Sequence, residues 1–238
     1  MERSSAAEKL DRSRRSRSVP IELRVEPGRS LPIRPDPFGK RLADLLLATF
    51  MLIVTAPAWI LIALAIKLED GGPVFYEQER WGRGGGRIRV KKFRSMVADS
   101  DEAHGIRQAT EEDPRITRVG KLLRRFGLDE LPQILSIWKG DMSFVGPRPL
   151  AIGEIVEDGN GDRLSWESMR GFDERLGVRP GLTSLATIYL PKDVHPTRKF
   201  RYDLLYVRRR TLAMDLKLIA LSFWISLTGR WETRQKKV

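Results

Sequence analysis

Between Leu45 and Ile66 lie 22 residues without a charge, "LLLATFMLIVTAPAWILIALAI", and a proline stands near their middle. The length suits a membrane rather than a soluble core helix. Twelve of the residues are Leu, Ile, Val or Phe. At roughly −0.5 kcal/mol each they favour insertion by about 6 kcal/mol. Pro57 offsets about 3 kcal/mol of this, because it removes the amide that would bond to the Ile53 carbonyl and pushes Ala56 away from helical angles. Insertion still wins, with a helix that is not straight. Each half of the run is about 15–18 Å long, too short to cross a hydrocarbon core of about 30 Å. The segment therefore reads either as a hairpin broken at Pro57, with Thr55 available to repair the break, or as a kinked spanning helix. Lys40 and Arg41 precede it and Lys67, Arg80 and Arg83 follow it, so both ends carry interface anchors and neither direction is favoured.

The rest of the chain is bounded by charge. The 238 residues carry a formal net charge of +12, no cysteine and two histidines. Anionic partners are indicated. A disulfide framework, a thiolate metal site and a thiol nucleophile are excluded. Residues 1–37 are rich in Arg, Ser and Pro without apolar periodicity, and read as a disordered basic tail. Residues 38–70 form the membrane segment and residues 71–238 the remaining domain.

"PVFYEQERWGRGGGRIRVKKF" reads as a β-hairpin around a glycine turn. It lacks the spacing of a nucleotide-binding loop. "RITRVGKLLRRF" is an amphipathic helix with Gly127 as its C-terminal cap, and a short helix then runs to about Trp138, stopped by Gly140. "TLAMDLKLIALSFWISLTGRW" is apolar but too short to span, which suits a membrane surface or a core helix.

Asp129 and Glu130 stand side by side in this basic setting, three and two residues before Pro132. They suit the N-terminal end of a helix. Neighbours on a helix point about 100° apart, so the two carboxylates cannot grip one proton together but can do different work. One can attack phosphorus, and its neighbour can hold Mg²⁺ with substrate phosphates completing the shell. Arg148, fixed between two prolines in "GPRP", offers a guanidinium suited to bidentate phosphate binding.

"KFRSM" (92–96), "DPRITRVGKLLR" (113–124), "LDELPQ" (128–133) and "KGDMSFVGPRP" (139–149) together resemble the bacterial sugar transferase family, the monotopic polyprenyl-phosphate phosphoglycosyl transferases, in its minimal catalytic form. The resemblance runs from about Lys40 to the C-terminal helix. It implies a mainly α fold with a small β-hairpin (α+β), a re-entrant membrane helix broken at Pro57, interfacial amphipathic helices and a compact catalytic domain on the cytoplasmic face of the inner membrane. It implies transfer of a sugar-1-phosphate from a UDP-sugar to undecaprenyl phosphate with release of UMP, the initiating step of cell-surface polysaccharide or glycoconjugate synthesis. Asp129 would be the nucleophile and Glu130 the Mg²⁺ ligand. Arg148, Lys92 and Arg94 would contact phosphates. A homodimer is left open.

The chain departs from the family pattern at Ala56, Gly127, Ser184 and Thr187, and residues 153–175 carry little of it. Two other readings follow from the charge and the membrane segment: a membrane-tethered nucleic-acid binder and an inactive membrane scaffold. Nucleic-acid binding needs exposed aromatics among the basic residues and no acids, so the acidic pair argues against it. The intact pair also argues against the scaffold.

Overall fold

The computed structural model describes residues 31–98, 113–157, 163–191 and 194–231. The basic tail up to residue 30 lies outside them. Residues 31–37, grouped with the tail on composition, are instead laid against the domain. Leu31 is buried beside Trp81, Trp166 and Phe172, the Arg34 amide bonds to the Gly177 carbonyl at 2.8 Å, and Asp36 pairs with Arg179.

Helix α1 spans Lys40–Asp70. At 1.5 Å per residue it is about 46 Å long. Helical backbone continues through Pro57, so the break expected there is not an interruption of secondary structure. The Thr55 hydroxyl donates to the Met51 carbonyl at 2.7 Å rather than to Ile53, and accepts from the Trp59 indole at 3.1 Å. Leu42, Leu46, Phe50, Ile53, Ile60, Leu64 and Leu68 are exposed. They recur every three or four residues apart from one two-turn step across Pro57, and so form one apolar stripe along the whole helix. The opposite face packs on the domain through Ala48, Ile62 and Ile66. The helix is long and apolar enough to cross a membrane.

Both ends of α1 are tied to the same domain. Lys40, expected at a membrane interface, is only 5% exposed, bonding to Asp215 at 2.6 Å and to the Val145 carbonyl at 2.9 Å. Arg41 reaches the Ile137 and Trp138 carbonyls at 2.7 and 2.9 Å, satisfying the open C-terminal end of another helix. Both side chains are therefore bonded to protein. At the far end Glu69 accepts from the amides of Arg118 and Val119, and Asp70 takes the Arg94 guanidinium.

Strands β1 (Phe75–Trp81) and β2 (Arg87–Phe93) form the expected hairpin, antiparallel with Phe75 opposite Phe93. Phe75 and Phe93 stack at 5.3 Å, and Trp59 of α1 meets Phe93 edge-on at 5.5 Å. Helix α2 (Arg118–Phe126) starts at a Thr117 cap that accepts from the Gly120 amide at 2.9 Å. It ends at Gly127, whose φ of 70° and two bonds back to Leu123 and Arg124 make the expected cap. A side chain there would also come within 2.8 Å of the Trp231 indole nitrogen, so the packing favours glycine as well as the backbone angle. A 3₁₀ turn, Leu128–Glu130, leads into α3 (Gln133–Lys139), which Gly140 stops as expected.

Two further small sheets were not foreseen. β3 (Ser143–Val145) runs parallel to β6 (Gly181–Thr183), and β4 (Ile155–Glu157) antiparallel to β5 (Arg163–Ser165). Three-residue strands carry no readable alternation. Gly146 and Gly181 touch back to back beside the β3–β6 pair, where an added Cβ on Gly181 would fall 2.0 Å from the Gly146 amide nitrogen. Helices α4 (Phe172–Leu176), α5 (Leu185–Tyr189), α6 (Pro196–Arg209) and α7 (Leu212–Thr228) complete the chain. α7 is a core helix along one side. Leu218 and Ile225 enter the main core, while Leu216, Phe223, Trp224 and Leu227 stay exposed. The result is mainly helical with small sheets and one long apolar helix.

Candidate active site

The acidic pair sits on the 3₁₀ turn between α2 and α3. Its two members face different surroundings, as residues about 120° apart must. Asp129 is buried, at 7% exposure. Glu130 points at β2, where Lys92 Nζ lies 2.5 Å from its Oε1, and the Arg148 guanidinium stands 3.8 Å from the same oxygen. Burial alone would raise the Glu130 pKa. The charges of Lys92, Arg148 and Arg80 outweigh it and hold the carboxyl at about 2. Burial pushes the Lys92 ammonium below its ordinary range, against the pull of Glu130 and Asp129. Three cations thus surround one carboxylate beside a second acid, an excess of positive charge that a bound anion would balance.

Arg148 is the exposed member of this group, with nearly half of its side chain open. Its backbone is pinned on all sides. The Pro147 carbonyl accepts from the Gly181 amide at 2.9 Å, the Arg148 carbonyl from Arg175, and the Pro149 carbonyl from Arg80 at 2.5 Å. Arg80 was foreseen only as a flanking charge. Its alternation on β1 gave no sign of a site role, because what directs it is the antiparallel bridge between Arg80 and Ala151.

Arg94 is drawn to other work than the expected phosphate contact. It is 6% exposed, forks onto both oxygens of Asp70 and donates from Nε to the Pro73 carbonyl at 2.6 Å. Its donors hold the end of α1 to the hairpin. Pro57 lies on the exposed stripe of α1 and does not line the site.

Asp129, Glu130, Lys92 and Arg148 open into one cleft of about 1260 Å³. Part of its wall is apolar, with Met51 and Ala58 of α1, Phe75 and Phe93 of the hairpin, and Ile219, Phe223 and Leu227 of α7, and charged residues such as Glu154, Lys199 and Asp203 line the rest. Ser184 and Thr187 also line it. Ser184 caps α5 by accepting from the Thr187 amide at 3.0 Å, and the two hydroxyls lie 2.8 Å apart, so Ser184 stands there as a helix cap. Among the described residues no three His, Cys, Asp or Glu side chains converge. A Mg²⁺ here would have to draw most of its shell from phosphate and water, which is that ion's habit, and the ionised Glu130 carboxylate suits it chemically.

The profile of the bacterial sugar transferase family matches residues 36–229. The exopolysaccharide production protein PSS of Rhizobium leguminosarum bv. phaseoli is 40% identical over 185 residues, covering 76% of this chain and 90% of that protein. The exopolysaccharide production protein ExoY of Rhizobium meliloti is 37% identical over 219 residues, 86% of this chain and 92% of ExoY. The UDP-glucose:undecaprenyl-phosphate glucose-1-phosphate transferase of Escherichia coli K12 is 39% identical over 189 residues; these make up 77% of this chain but only 39% of that enzyme. The chain belongs to the bacterial sugar transferase family and is a phosphoglycosyl transferase.

Proposed function

We propose that this enzyme transfers a sugar-1-phosphate from a UDP-sugar to undecaprenyl phosphate, as the opening step in building an exopolysaccharide or related glycoconjugate. The observation that carries the reading is the pairing, in one cleft, of the cation-rich Glu130 cluster with apolar walls. Such a cleft suits a phosphate joined to a long hydrocarbon. In the first step the Asp129 carboxylate attacks the β-phosphorus of the UDP-sugar. The bond from that phosphorus to the bridging oxygen breaks, and UMP leaves with the electron pair. In the second, a phosphate oxygen of the lipid attacks the same phosphorus and Asp129 is released. Arg148 and Lys92 hold the phosphate oxygens and balance charge as it develops. Glu130 together with substrate oxygens would hold Mg²⁺, which would supply Lewis-acid stabilisation of the leaving UMP.

The two ends of α1, both bound to one domain, favour a re-entrant helix over one whose ends lie on opposite sides. The exposed stripe would then face lipid from the cytoplasmic side of the inner membrane. Labels placed at the N-terminus and after Val238 should be accessible from the cytoplasm only.

Membranes containing the full chain, given radiolabelled UDP-glucose and then other UDP-sugars with undecaprenyl phosphate, should release UMP and form labelled lipid. Failure with the whole panel, by protein that is folded, would overturn the reading.

A further inference from the structure

Helices α4 and α6 bring a second pair of charges together, Arg175 and Asp203, in the lining of the same cleft. Arg175 and Asp203 are each 3% exposed. Arg175 Nε lies 2.9 Å from Asp203 Oδ2, and its Nη2 lies 2.9 Å from the same oxygen. That Nη2 also donates to the Arg148 carbonyl. The guanidinium lies over the Phe200 ring at 5.2 Å, and Phe200 stacks on Trp166 at 5.7 Å. The guanidinium is thus held against stacked rings.

This arrangement is poor as a device for stability. A fork laid on both carboxylate oxygens would satisfy the pair fully. Instead both nitrogens share one oxygen, and Asp203 Oδ1 is buried with no hydrogen-bond partner among the described residues. Burial pushes the Arg175 pKa down and the Asp203 pKa up, the sign of charges held where water would serve them better. Buried pairs of this kind are weak evidence for stability. What the tilt of the fork achieves is a bond to the backbone of Arg148.

We propose that Arg175, oriented by Asp203, is a positioning residue for the Arg148 guanidinium. The prolines at 147 and 149 fix the backbone torsions next to Arg148, and Arg175 fixes the carbonyl between them. The guanidinium then meets the substrate diphosphate already in place, so that less ordering remains to be done on binding. The inference rests on the reading of this cleft as a UDP-sugar site.

The test is a cycle with the full chain in detergent micelles, using UDP as the probe and calorimetry as the readout. Arg175→Gln with Asp203→Asn removes both charges together, leaves no lone buried ion, and shortens residue 175 out of reach of the carbonyl. This pair change should weaken UDP binding about tenfold when Arg148 is present, and by less than about twofold in an Arg148→Ala background, because groups that act through one another are not additive. Arg175→Lys retains the ion pair, and with it the fold, but cannot also reach the carbonyl. It should show the same dependence on Arg148. Equal losses in both backgrounds, or no loss in either variant, would overturn the proposal. UMP release by the wild-type chain judges the transfer reading separately. UDP binding with the coupling intact but no UMP release would sink that reading and leave this inference standing, and absence of UDP binding would sink both.

Discussion

The two ends of the Arg148 loop show buried charge put to two uses. At the Val145 end, Lys40 meets Asp215 one to one at 2.6 Å, and the Tyr206 hydroxyl closes the group by donating to Asp215 Oδ1 at 2.7 Å. Lys40 is matched and almost nothing reaches solvent, while Asp44, buried beside the pair, is held through one oxygen by the Ser143 hydroxyl and the Phe144 amide. At the Arg148 end, Lys92, Arg148 and Arg80 crowd one Glu130, and the excess faces a cleft. The matched cluster fastens the long apolar helix to the catalytic loop. The unmatched one sets its excess positive charge beside an open cleft, the setting that suits an anionic ligand.

The comparison breaks most sharply at Glu130. Glu130→Gln should reduce turnover on the order of a thousandfold, with part of the loss recovered at high Mg²⁺ if Glu130 is the metal ligand. Stability should fall as well, because Glu130 is the partner of the mostly buried Lys92. Unaltered turnover would move the site away from this cluster.

Paired lysine variants sharpen the contrast. Lys40→Met strands Asp215 in the core and should cost about 3–5 kcal/mol in chemical unfolding, with the folded fraction still active. Lys92→Met removes one of several cations and should cost far less stability while lowering turnover about a hundredfold. If the two variants exchanged these signatures, the division into fastening and binding clusters would be wrong.

The smallest effect expected is with pH. Glu130 ionises at about 2 in the folded chain against an ordinary 4.5. Its contribution to stability is therefore full above its ordinary value and lost only as pH falls toward 2. Unfolding measured between about pH 5 and about pH 8 should show no transition that Glu130→Gln removes. Lys92 is shifted down by burial, so UDP binding should weaken on the alkaline side before the ordinary lysine value of 10.5.

Local signals carried the parts that were legible in the sequence. The uncharged run, the hairpin, the amphipathic helix with Gly127 and the stop at Gly140 each follow from periodicity and backbone freedom within about a dozen residues. The acidic pair, Lys92 and Arg148 were named from motif and chemistry, and the fold brings Glu130, Lys92 and Arg148 into contact. Tertiary contacts decided the rest. Lys40 finds Asp215 across 175 residues, and Arg175 finds Asp203 across 28. A basic residue beside an apolar run looks like a headgroup anchor until its partner is placed. Arg94 was expected to contact phosphate on the family resemblance, and nothing near it in sequence shows Asp70 turning back to take its fork.

The most direct test of the central claim is mass spectrometry of the full chain mixed with UDP-sugar and Mg²⁺ but no lipid acceptor. A phosphosugar adduct should appear on the peptide that contains Asp129, be absent in Asp129→Asn, and disappear when undecaprenyl phosphate is added. An adduct that persists in Asp129→Asn, or normal turnover by that variant, would contradict the account and turn the search for the nucleophile to Asp141.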